Sequence, residues 1–328
     1  MPTRITTPML IVLVLYSCQA FSSQCSREEA FVIERPQEDL PTQETLREHV
    51  DFLADPAHPR GHDNLAGLER TAQYIADNLE ASGGRVAVQT FVVLDQEYKN
   101  VRALFGPTSK ERIVVGAHYD TAEGLPGADD NASGVAALLG IAEIFRQYPP
   151  LAEVELVGYS LEEPPYFRTE WMGSRKHVEA LKTETVNVKV MISLEMLGYY
   201  TDSPDSQEFP LSLMKLLYPS KGNFIGVVGR FADFSISQRV CSGMASSGNL
   251  PVYRLNAPAS LTGVDFSDHL NYWNADINAV MITDTAFYRN PNYHEPTDLP
   301  DTLDYERLRE VTIQVYGAIE ALTQRPEL

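Results

Sequence analysis

Short apolar segments recur along this chain, and each runs directly into a group of His, Asp or Glu. Residues 112–117 lead into His118-Tyr119-Asp120-Thr121, and residues 153–159 into Ser160-Leu161-Glu162-Glu163. Residues 189–194 end at Glu195, and residues 279–283 lead through a Pro- and Asn-rich loop to His294. An apolar run without polar alternation is the pattern of a strand buried on both faces, which requires helices above and below it. Helical stripes fall between these runs: Leu46, Val50 and Leu53; Leu68, Ala72, Ile75 and Leu79; residues 134–145, 172–181 and 235–245; and a last stripe from Leu308 to Leu322 behind a cap at Asp304. Further strands are expected at 86–93, 101–105, 224–228 and 252–255. The alternation predicts an α/β fold, a mostly parallel mixed sheet with helices on both faces.

The beginning of the chain reads differently. Arg4 precedes the apolar run Met9 to Tyr16, too short to span a bilayer as a helix but suited to an export signal. Two processing routes stay open: cleavage after Ala20, or a lipoprotein signal with Cys18 as a lipid anchor. The expected organisation is a signal over 1–20, a polar leader or tether over 21–41, and one catalytic domain over 42–328. The location is then extracytoplasmic, in the cell envelope or secreted, with no transmembrane span. Apart from Cys18, the chain has Cys25 and Cys241. Their spacing suits no metal, and with Cys25 placed in the leader both are expected as unpaired thiols.

Composition excludes one class of partner. Lys plus Arg number 26 against 45 Asp plus Glu, a formal charge of −19. Nucleic acids and anionic membranes are bound through cationic side chains, so neither is an expected partner.

Ligands of open α/β sheets bind outside the carboxyl ends of the strands, where the His, Asp and Glu groups lie. Taken singly, each has a bland explanation. His118 suits a surface turn, Asp129-Asp130-Asn131 a helix cap, Glu162-Glu163 an exposed acidic loop, and His294 a solvated loop. Glu195 is harder to dismiss, because an unpaired carboxylate at the end of an apolar strand is costly without a metal or an arginine. Together they provide imidazole and carboxylate ligands for two zinc ions that share one carboxylate, with a further carboxylate left over as a general base.

The motifs Gly116-Ala117-His118-Tyr119-Asp120-Thr121, Pro126 through Gly134 (PGADDNASG), Glu162-Glu163, and Tyr293-His294 before Thr297-Asp298 resemble those of the M28 family of zinc peptidases. The resemblance runs over roughly residues 45–325 and implies a zinc-exopeptidase architecture of the phosphorylase/hydrolase-like kind. It implies that Asp130 bridges two zinc ions, that His118 and Glu195 complete one site, and that Glu163 and His294 complete the other. Glu162 matches the family's general base and Asp120 the carboxylate that orients its histidine. Ser267-Asp268-His269 resembles a family segment near the metals, with Asp268 behind the ligands and His269 not a ligand. The family's aminopeptidases usually carry Asp where this chain has Glu195. A glutamate keeps the charge, but its extra methylene shifts the metal or the pocket beside it.

The implied activity is hydrolysis of a terminal peptide bond, with aminopeptidase action first. Alternatives are a glutaminyl cyclase-like enzyme with one zinc, a carboxypeptidase or dipeptidase, and a non-catalytic envelope binding protein. The last predicts a lost ligand or base, and every such position holds a competent residue. Tyr199, Tyr200, Phe287 and Tyr288 flank the motifs and are expected in the core rather than along a specificity pocket.

Overall fold

The apolar segments that end in His, Asp or Glu become neighbouring strands at the middle of one sheet. The computed structural model describes residues 22–27 and 40–323. Its strands are β1 (Ser22–Gln24), β2 (Arg85–Val93), β3 (Gln96–Phe105), β4 (Glu111–His118), β5 (Glu153–Tyr159), β6 (Asn187–Glu195), β7 (Ile225–Gly229), β8 (Val252–Asn256) and β9 (Ala279–Thr283). Their order across the sheet is β1-β8-β7-β9-β6-β4-β5-β3-β2. The contiguous block β9-β6-β4-β5 is parallel throughout, and β7 with β8 forms a further parallel pair. β3 pairs antiparallel with β5, and β7 with β9.

The helices are α1 (Gln43–Leu53), α2 (Leu65–Ala81), α3 (Gly134–Gln147), α4 (Gly173–Glu184), α5 (Phe234–Ser247), α6 (His269–Trp273) and α7 (Tyr305–Thr323). They cover both faces. Ile113, Val115 and Ala117 of β4 belong to a core with α1, α2, α3, α5 and α7. Val114, between them in sequence, packs into a second core with Val178 and Leu181 of α4 and Tyr272 and Trp273 of α6. Side chains alternate across a strand, so a run apolar at every position must be covered twice. The expected cap of the last helix is present: the Asp304 carboxylate accepts from Arg307 N at 3.0 Å.

Three features depart from the sequence expectation. The second strand of the β2–β3 hairpin starts at Gln96 rather than 101, because its polar first half pairs along the sheet edge. Leu94 and Asp95 form the turn with φ of 47° and 63°, the left-handed pair that a two-residue hairpin requires, though neither is glycine. α6 begins at His269, inside the Ser267-Asp268-His269 segment, where no helix was expected.

The third departure concerns the leader. Residues 22–24 form an edge strand antiparallel to β8, and Cys25 is disulfide-bonded to Cys241 of α5, with Cα atoms 5.6 Å apart. The expectation of unpaired thiols is therefore corrected. Sequence offers no measure of distance between cysteines 216 positions apart, and pairing on β8 carries Cys25 to the helix. The signal expected over residues 1–20, with Cys18, lies outside the described residues. Cys25→Ser should lower unfolding stability by about 2–5 kcal/mol, because the bridge restricts a long loop of the unfolded chain. Denaturant titration of parent and variant, each with and without reductant, checks this; a reductant-insensitive parent would contradict it. No described helix is long and apolar enough to cross a membrane.

Candidate metal centre

The parallel block delivers its polar residues to one end. His118 is the last residue of β4, Glu162 and Glu163 follow β5, Glu195 closes β6, and the loop after β9 carries His294. Asp130 arrives from the segment before α3, which starts from Gly127 at φ 61°. A Cβ there would collide with the Asp130 carbonyl, so glycine is required for this approach. Leu161 and Met196, the neighbours of Glu162 and Glu195, and His294 itself also take left-handed φ values of 61°, 50° and 54°. Such non-glycine conformations cost energy and are held by surrounding structure, often where side chains must be aimed. At Leu161 and Met196 the chain turns as it leaves the sheet.

Nδ1 of His118 donates to the Asp120 carbonyl at 3.2 Å. That bond leaves Nε2 as the lone-pair nitrogen, and it faces Asp130 Oδ1 at 3.4 Å and Glu195 Oε2 at 3.5 Å. On the other side, His294 Nε2 faces Asp130 Oδ2 at 3.1 Å and Glu163 Oε2 at 3.2 Å. The two oxygens of Asp130 thus look toward different imidazoles. Glu162 Oε2 lies 4.0 Å from His118 Nε2.

His118 Nε2, Glu195 Oε2, Glu163 Oε1 and His294 Nε2 are buried and make no hydrogen bond. Among the described residues, no Lys or Arg forms an ion pair with Glu195, Glu162 or Glu163. With both imidazoles neutral these atoms are buried acceptors converging without a donor, a set that fits a bound cation. His118, Asp130 and Glu195 form one group of mutually close ligand atoms, and Asp130, Glu163 and His294 another. His118 with Glu162 and Glu163 makes a third combination. Imidazole nitrogen with carboxylate oxygen is a donor set that zinc accepts.

The electrostatics express the same crowding. Burial alone would lower the His118 pKa, yet the Glu195 and Glu162 carboxylates hold it well above the usual imidazole range. Burial likewise opposes protonation of His294, but Asp130 and Glu163 push it up to about 10. Burial drives Glu163 up to about 7, with the Asp130 charge adding to the effect. Glu162 is raised well above its ordinary value, first by burial and then by the charges of Glu163 and Glu195 against the opposing pull of His118.

Surrounding groups fix these side chains. The Asp120 carboxylate accepts from the backbone N–H of Glu162 at 3.1 Å and of Glu163 at 3.0 Å. It lies 3.6 Å from His118 Nδ1, so its hydrogen bonds position the glutamate pair while its carbonyl holds the histidine. Asp268 is buried nearby with neither oxygen hydrogen-bonded, and burial raises its pKa to about 7. His269 Nε2 donates to the Val264 carbonyl at 2.8 Å and faces away from ligand duty.

Three supports were not singled out from the sequence. Asp298 accepts from the N–H groups of Asp129 and Asp130, the latter at 3.1 Å; its position four residues after His294 was the only signal. Asn131 donates to the Leu194 carbonyl and accepts from Met196 N, tying the Asp130 segment to the end of β6. Arg60, wholly buried, donates to the carbonyls of Tyr119, Gly127 and Leu53 from a loop with no motif.

An apolar cleft, open to solvent, adjoins Glu195. Its floor is the face of β8, β7 and β9 carrying Leu255, Val228 and Met281, and Phe287 and Tyr288 stand along its side. The expectation that these two aromatics lie in the core is corrected, since the loop after β9 bends over the cleft. Tyr200 does lie in the core, beside the Arg289 guanidinium.

Fold and site together define an α/β metallohydrolase with its centre at the carboxyl ends of parallel strands. The model of peptidase family M28 matches residues 100–319, and the chain belongs to that family; it is a zinc metallopeptidase. The Escherichia coli K12 protein YfbL is 46% identical over 276 residues, 82% of this chain and 84% of that protein. The zinc aminopeptidase BSAP of Bacillus subtilis superposes with a TM-score of 0.69 at 15% identity, over 88% of this chain and 97% of that one. A glutaminyl cyclase of Bacteroides thetaiotaomicron superposes with a TM-score of 0.62 at 22% identity, over 88% and 99%. At such identities the two superpositions speak for the fold alone.

Proposed function

We propose that the protein is an aminopeptidase that works outside the cytoplasm with two zinc ions per chain. The observation that carries the two-metal reading is Asp130, whose Oδ1 and Oδ2 face His118 and His294 separately, at 3.4 and 3.1 Å. In this reading His118, Asp130 and Glu195 would hold one ion, and Asp130, Glu163 and His294 the other. When bound, the ions supply Lewis acidity to the scissile carbonyl and to the attacking water. Glu162 takes the proton from that water and delivers it to the leaving amine nitrogen, which breaks the C–N bond. Asp120 holds Glu162 in place through the backbone N–H. The cluster Asp130, Glu162, Glu163 and Glu195 is an acidic setting for a free ammonium, and the cleft beside Glu195 suits a large apolar terminal side chain. A disulfide between Cys25 and Cys241 supports an oxidising, extracytoplasmic setting.

Digestion of a mixed peptide library by zinc-loaded protein tests this reading. Shortening from the amino end, with Leu and Phe released before Gly and Asp, is the expected result; shortening from the carboxyl end would replace it with a carboxypeptidase. The glutaminyl cyclase-like fold keeps a second reading open to the same sample. One zinc per chain with cyclisation of an amino-terminal glutamine would establish it, whereas both imidazole sets being furnished here favours two metals.

Glu195→Asp should retain zinc but lower kcat by about 10²-fold. Shortening the side chain keeps the anion while moving the metal or β6, and misplacement by about 1 Å costs about that much. Metal analysis beside peptide turnover checks it; parental kcat would show that the extra methylene has no bearing on the site.

A further inference from the structure

The strand that closes one side of the apolar cleft is secured from outside the catalytic motifs. β8 is held on one edge by β7 and on the other, among the described residues, by β1 and the residue after it, with Gln24 opposite Tyr253 and Ser22 opposite Leu255. Cys25 N donates to the Val252 carbonyl at 2.9 Å. Tyr253 and Leu255 both line the cleft, and the Tyr253 hydroxyl donates to the Gln24 amide oxygen at 3.3 Å. Arg254, between them, points to the opposite face, where it donates to the Phe234 carbonyl at the start of α5.

So short a strand has few bonds of its own, and a segment with few buried contacts opens readily. Two attachments oppose this. The Cys25–Cys241 disulfide runs around the sheet edge to α5, on the face away from the cleft. Arg27 donates to the Gly248 carbonyl at 3.1 Å and to Asn249 Oδ1 at 2.9 Å, just past the end of α5.

We propose that β1, stapled by Cys25–Cys241, is a positioning element for substrate selectivity: it fixes β8 so that Tyr253 and Leu255 close the outer side of the cleft. The identity of what fills the cleft, the terminal side chain of a peptide, rests on the aminopeptidase reading above. With the staple cut, β1 leaves β8 as a free edge, Tyr253 loses its amide partner, and the cleft wall gains freedom. A large apolar side chain then loses contacts that a methyl group never makes. The metal-centre residues come from the ends of β4, β5 and β6, from the segment before α3 and from the loop after β9, and the strands among these do not pair with β1. The loss therefore falls on binding that is equal in ground and transition states, which raises KM and spares kcat.

The test compares parent, Cys25→Ser and Gln24→Ala on aminoacyl anilides of Leu, Phe and Ala. For Cys25→Ser, KM should rise by about tenfold for Leu and Phe. For Ala it should change by less than about twofold, and kcat should be unaltered on all three. Gln24→Ala should show a smaller change in the same direction with the disulfide intact. Amide exchange at Tyr253 and Leu255 should accelerate in Cys25→Ser, a readout independent of turnover. Equal KM changes for Ala and Phe, or faster exchange at β8 with unchanged KM, would overturn the proposal. Should Cys25→Ser fail to fold, the parent under reductant and Gln24→Ala decide by the same criteria. Should the parent release no terminal residue at all, the aminopeptidase reading falls, and toluene binding in the cleft, followed by NMR, takes over. Weaker toluene binding by Cys25→Ser then supports the staple, and equal binding overturns it.

Discussion

Glu162→Gln is expected to keep the fold and the metals and to lose about 10²–10⁴-fold in kcat, the usual cost of removing a general base. The substitution preserves volume and the backbone N–H that Asp120 accepts at 3.1 Å, so the turn after β5 stays in place. It removes only the carboxylate proposed to take and return the proton. Glu162 is also the glutamate of the pair that lies farther from an imidazole, 4.0 Å from His118 against 3.2 Å between Glu163 and His294. Zinc content near the parental value with collapsed turnover is the expected pair of measurements. Parental turnover at full zinc content would move the base elsewhere. Loss of metal together with activity would make Glu162 a ligand, in keeping with the third grouping of His118 with Glu162 and Glu163.

Asp130→Ala should do more damage still, because one carboxylate serves both groups of ligands. Removing it leaves His118 with Glu195, and His294 with Glu163, as isolated pairs, each short of a ligand. His294→Ala removes one ligand from one group and leaves the other intact. Under mild chelation Asp130→Ala should lose both zincs, whereas His294→Ala should keep one. Activity below about 10⁻² of the parental value is expected of the first. That figure corresponds to at least the two decades of rate that a misplaced catalytic group loses. Equal zinc retention by the two variants would take Asp130 out of the shared position.

How much of this was legible in the sequence follows from the length scale of each signal. β4 through β6 and β9 could be read from their apolar cores, because burial on both faces favours apolar residues along the strand; the polar residues that remain, such as Arg112, Glu153 and Glu155, pair with one another. His118, Glu162, Glu163 and Glu195 could be read because each sits at or just past the end of such a strand, whereas Asp130 and His294 were legible through their motifs. Support from Arg60 could not be read: its partners are the carbonyls of Tyr119, Gly127 and Leu53, and backbone carbonyls leave no trace in residue type. Asp298 had only its place in the Tyr293-His294 motif, and its partners are backbone N–H groups some 169 residues away.

What the sequence determined alone is the local chemistry and its order along the chain: which strands are buried on both sides, where each ends, and which donor atoms stand there. Those properties depend on neighbouring residues, and a motif states them completely. What only the tertiary structure decided depends on distance between remote segments. The leader residues Ser22–Gln24 look like a tether in isolation, and become a strand only because β8 presents an unpaired edge beside them. Cys25 meets Cys241 for the same reason, and Phe287 and Tyr288 line a cleft because the loop after β9 turns back over the floor made by β7 and β8. Backbone pairing and burial at these places are settled by what the rest of the chain leaves open, which no local pattern records.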